Sequence, residues 1–173
     1  ASDGTQLVVH AGNEVRVVDL TSFATAATYP IPRANDGGAR AEIAIVGGKV
    51  FATGGSEGLH VLDVATGTIL QTVAVPAANA LGLLPSESVA NGFAVARDTL
   101  FIAQGGAGLL VAFSADDPAT TASSTVAAYQ SLSRLEFNDW ASSNAVAAEG
   151  LLTVAANGAE GTRVVAMMID PCG

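Results

Sequence analysis

The chain has 173 residues, 50% hydrophobic but only 5% aromatic, with 13% charged residues and a net charge of −9. That is too apolar and too weakly charged for a disordered chain, and its length suits one domain with a sizeable core. Seven basic residues against 16 acidic ones, with Lys49 the sole lysine, leave no basic stripe, which argues against nucleic acid or an anionic membrane as partner.

Short apolar runs bounded by Gly, Asn, Asp and Pro follow one another along the chain, which is a strand signal. In order they are Gln6–His10, Val15–Leu20, Ala27–Ile31, Ile43–Val46, Val50–Thr53, Leu59–Val64 and Ile69–Val75. After a break come Phe93–Ala96, Thr99–Gln104, Leu109–Phe113, Thr125–Gln130, Ala145–Ala147, Leu151–Ala155 and Arg163–Ile169. The fold class expected is all-β.

A repeat runs through these strands. Gly48 to Asp63 and Asp98 to Phe113 both read strand, Gly-Gly turn, strand; Gln6 to Asp19 and Gly150 to Val165 follow the same plan. Taking Gly12, Gly55, Gly106 and Gly158 as equivalent, the spacings are 43, 51 and 52 residues, the period of a four-stranded propeller blade. Four units are expected, at approximately 1–32, 40–76, 90–130 and 142–171.

The first unit lacks an equivalent of Ile43–Val46 and the last stops after its third strand, two strands short of four full blades. That count suits a β-propeller forming an incomplete ring, or part of a larger one, with a protein partner, a second copy or a further segment completing it. A small closed or irregular ring is the other reading.

The segment Val50-Phe-Ala-Thr-Gly-Gly-Ser-Glu-Gly-Leu-His-Val-Leu-Asp-Val-Ala-Thr-Gly-Thr-Ile-Leu-Gln-Thr-Val-Ala-Val-Pro76 resembles one repeat of the YVTN or LVIVD type of bacterial β-propeller, and Leu100–Val111 follows the same pattern. The resemblance implies a secreted, cell-surface or periplasmic scaffold, and its motif is shared by many functions. The third unit departs from it, with Phe113-Ser-Ala-Asp-Asp-Pro118 where an aspartate is expected directly after the strand.

Few residues suggest chemistry. His10 and His60 lie near equivalent turns but lack zinc-site spacing, and read as ordinary strand positions. The loops at Gly54–Gly58 and Gly105–Gly108 join strand to strand with no following lysine, so they read as hairpins and not phosphate cradles. Asp116 and Asp117, like Asn35-Asp36-Gly37-Gly38, offer oxygens that suit calcium but lack an EF-hand frame, so calcium is the one weak cofactor candidate. Neither histidine has an obvious serine partner in the sequence, which argues against a serine nucleophile.

Tyr129, Arg134, Phe137 and Trp140 gather between the third and fourth units of a chain poor in aromatics. They are either a contact surface or a plug between blades. Cys172, the only cysteine, permits no intrachain disulfide. The expected function is a non-catalytic interaction scaffold; the alternatives are a fragment of a propeller enzyme and a calcium- or carbohydrate-binding surface domain.

Overall fold

A computed structural model of the chain describes residues 1–33, 41–96, 99–113, 130–135, 143–149, 152–157 and 161–166. The strands are β1 (Gln6–Ala11), β2 (Glu14–Asp19), β3 (Thr25–Pro30), β4 (Ile43–Val46), β5 (Lys49–Thr53), β6 (Leu59–Asp63) and β7 (Ile69–Val73). They continue as β8 (Gly92–Ala96), β9 (Thr99–Ala103), β10 (Leu109–Phe113), β11 (Gln130–Leu135), β12 (Ser143–Glu149), β13 (Leu152–Asn157) and β14 (Gly161–Ala166). Each forms one of four antiparallel meanders: β1-β2-β3, β4 to β7, β8 to β11, and β12-β13-β14.

The repeat is visible in detail. The ladder slips at the same place in three sheets, between Val17 and Val18, Val61 and Leu62, and Val111 and Ala112. After the slip in the first two sheets comes one turn: Asp63 Oδ1 accepts from Ala65 N and Thr66 N, both at 2.9 Å, and Asp19 Oδ1 accepts from Thr21 N at 3.0 Å and Ser22 N at 2.7 Å. A carboxylate bonding to amides two and three residues on closes the chain locally, so these aspartates shape backbone.

The strand count per sheet is three, four, four and three, as expected, and one strand boundary is corrected. The outer strand of the third sheet is Gln130–Leu135, further along than Thr125–Gln130, whose remaining residues lie outside the described ones. Its polar sequence Gln-Ser-Leu-Ser-Arg-Leu carries little strand propensity, and pairing with β10 decides its place. The first sheet has three strands, as expected, and an isolated bridge marks its inner position. Ser2 bridges Leu7, while Ala1 N donates to Val8 O at 3.0 Å and Val8 N to Ala1 O at 2.8 Å. Ala1 and Ser2 thus stand where Ala44 and Ile45 stand against Phe51 and Val50 in the second sheet.

The core fills the seams between sheets. Val8, Val15, Val17 and Ile31 pack against Val50, Ala52 and Leu62; Phe51, Leu59 and Val61 pack against Phe93, Leu100, Ile102 and Ala112. Alternate residues of β5 and β6 therefore face opposite neighbours, which is why every residue of both strands is buried. Farther along, β12 lies against β8 and β9, and no closed ring is formed among the described residues.

Candidate functional site

The first sheet differs from its neighbours on one face. Leu7, Val9 and Val18 occupy the positions of Val50, Ala52 and Leu62 in the second sheet and of Leu100, Ile102 and Ala112 in the third. Those six are 0–1% exposed, yet Val9 is 38% exposed and Leu7 and Val18 are only partly covered. Arg16, opposite Val9, stands where His60 stands in the next sheet, and its Nε donates to Glu14 Oε1 at 2.6 Å. This is a half-apolar face with a charged pair on it.

Behind that face, the seam between the first two sheets is closed at one end by polar groups. The β1–β2 hairpin brings His10 to it, the β3–β4 connection brings Pro32 and Arg33, and Glu42 precedes β4. His60 Nε2 lies 2.7 Å from Pro32 O and Nδ1 lies 2.9 Å from Thr72 Oγ1. A carbonyl only accepts, so Nε2 carries the proton and Nδ1 accepts from the Thr72 hydroxyl. Glu42 ties the seam to the third sheet, because its Oε2 accepts from Phe93 N at 3.2 Å.

His10 contrasts with His60. Both of its ring nitrogens are shut off from solvent and neither closes a hydrogen bond. Burial, and then the nearby Arg33 guanidinium, hold its pKa below the ordinary 6.5; the Glu42 and Gly12 carbonyls oppose this, and His60 adds a smaller downward push. Both histidines therefore stand at one seam, a placement that their sequence spacing did not reveal.

The glycine loops are hairpin turns with one hydrogen-bond scheme. Gly54 N donates to Gly58 O at 2.7 Å and Gln104 N to Gly108 O at 2.8 Å. In the third-sheet loop Gly106 N donates to Glu87 O at 2.7 Å, so that amide is spent on neighbouring chain. Gly54 is not needed for its φ, unlike Gly55 and Gly58; a Cβ there would lie 2.5 Å from His60 Nε2 and 3.0 Å from Pro32 O. The third sheet has Gln104 at that position, with Leu110 in place of His60.

Arg134 lies within β11, opposite Leu110, and not in a connection. Tyr129, Phe137, Trp140, Asp116, Asp117, Asn35-Asp36-Gly37-Gly38 and Cys172 fall outside the described residues. Among the described residues no three of His, Cys, Asp and Glu are grouped to hold a metal, and no helix is long and apolar enough to cross a membrane. Val9, Arg16, Arg33 and Glu42 had no distinguishing sequence signal; only the comparison of one repeat with the next marks them.

Known structures place this arrangement. The computationally designed Ika4 protein is 11% identical, with 96% of this chain and 88% of that one covered at a TM-score of 0.65. The fold is a β-propeller. The N-terminal domain of Nup159 is 12% identical over 91% of this chain at a TM-score of 0.57, and PorZ, a bacterial surface component of the type-IX secretion system of Porphyromonas gingivalis, is 18% identical over 93% at 0.55. The chain spans only 38% of the Nup159 domain's length and 19% of PorZ's. No protein-family model and no curated protein matches it.

Proposed function

We propose that this chain is a non-catalytic β-propeller scaffold of a bacterial surface or periplasm, and that a second copy of the chain covers the open face of its first blade. The observation that carries the reading is the exposure of Val9, with Leu7 and Val18, at positions wholly enclosed in the next two blades. An apolar centre beside a charged pair suits an interface that must also stay soluble when free. The resemblance of Val50–Pro76 to YVTN and LVIVD repeats and the structural likeness to PorZ support the location. The non-catalytic reading is supported by the histidines: His60 is bonded to Thr72 and, across a seam between blades, to Pro32, and both ring nitrogens of His10 are enclosed there.

Native mass spectrometry tests this. A dimer that Val9→Arg dissociates is expected. A monomer whose β1 amides exchange as slowly as those of β5 would mean a ring closed on itself, and overturns the proposal. The segment holding Tyr129, Arg134, Phe137 and Trp140 is proposed as a second contact surface, supported by its aromatic and arginine content. Trp140→Ala should weaken association more than it lowers the melting temperature; a large loss of stability with unchanged association assigns Trp140 to the core instead.

A further inference from the structure

The geometry points to His10 as a proton-operated latch between the first and second blades: protonating its ring opens the seam that the neutral ring helps to close. Three observations converge on this residue. His10 follows Val8 by two on β1, so its side chain takes the same face as Val8, which packs against the second blade. Its ring nitrogens are enclosed without a hydrogen bond. The groups facing it from the packed elements are the Arg33 guanidinium from the β3–β4 connection, the Glu42 carbonyl ahead of β4, the Gly12 carbonyl of its own hairpin and the His60 ring on β6.

A second ring proton adds charge inside an enclosed seam where a guanidinium already stands, and the Glu42 and Gly12 carbonyls offset this only in part, so the charged ring favours parting the blades. The Glu42 carboxylate gives limited relief, since its Oε2 is engaged by Phe93 N of the third blade. His60 differs from it in geometry: both of its ring nitrogens are bonded, to the Thr72 hydroxyl and to the Pro32 carbonyl. The asymmetry assigns the response to His10 alone. The second blade shows what an insensitive version looks like: Thr53 stands at the equivalent position, and its hydroxyl accepts from Glu42 N at 2.8 Å.

Hydrogen exchange on the full chain at pH 7.5 and 5.5, corrected for the intrinsic pH dependence, reads the latch directly. Amides of β1, β2 and β4 should lose several-fold, and at most ~10-fold, in protection at the lower pH, the ceiling for one histidine whose open-state pKa is the ordinary ~6.5, while those of β9 and β10 change little. His10→Thr should abolish the difference, and His60→Gln should leave it in place. An NMR titration of the wild-type His10 ring keeps the inference testable should His10→Thr misfold: its midpoint should lie below 6.5 and coincide with shifts of β4 and β6 amides. Equal protection at both pH values, a response retained in His10→Thr, or a ring that titrates with no change across the seam overturns the inference.

Discussion

His60 Nε2 donates to the carbonyl oxygen of Pro32 at 2.7 Å, so the third strand of one blade's hairpin pair holds the segment that leaves the blade before it. Gly54 leaves room for that bond. The equivalent pair in the third blade, Gln104 with Leu110, shows that the site is filled either by a ring or by a longer side chain in the glycine's place.

Gly54→Ala should therefore destabilise the protein by about 1–3 kcal/mol, because the new methyl meets His60 Nε2 and the Pro32 carbonyl and either displaces the ring or breaks its bond. In the His60→Leu background the same substitution should cost less. Chemical denaturation of the four species in a double-mutant cycle measures the coupling; additive losses would refute the pairing of Gly54 with His60.

Phe23 holds φ at +57° with its side chain 78% exposed, at the turn position where the second blade has Gly67 at φ +70°. The phenyl group bears the left-handed strain and gains little burial in return. Phe23→Gly should stabilise the fold by about 1 kcal/mol, read as a raised denaturation midpoint. A loss of stability would show that the ring makes a contact that offsets the strain.

Gln104 is wholly buried, and neither its Oε1 nor its Nε2 has a hydrogen-bond partner. Gln104→Met keeps the length and removes the unmet polar atoms, so it should be neutral or stabilising by up to about 1–2 kcal/mol. A clear destabilisation would mean that the amide is bonded in solution, most simply to an enclosed water.

The pH dependence of stability has two parts of the same sign. The His10 pKa is lowered in the folded state, so the unfolded chain binds more protons and stability falls as pH drops through 6.5 towards the folded value. Backbone hydrogen bonds, from Gln6 to Asp3 and from Ser22 to Asp19, hold both carboxyls below their ordinary 3.8, so their contribution is present above that value and is lost as pH falls below it. Melting curves should show two descending steps on acidification. His10→Thr should remove the upper step and Asp19→Asn should reduce the lower one.

Most strands, their hairpins and their grouping into repeats are legible from the residues alone, because these depend on local chemistry. Alternation over five residues, glycines at positive φ and an aspartate bonding two or three residues ahead act within one hairpin wherever it stands. The strand least visible in advance, β11, is the one whose polar residues offer no alternation and whose place comes from pairing with β10. Tertiary structure alone decided which face goes uncovered, since Val9 and Ala52 look alike in sequence and differ only in having a blade beside them. It also brought His10 and His60 to one seam, because a seam joins residues from different repeats and its contacts carry no fixed spacing along the chain.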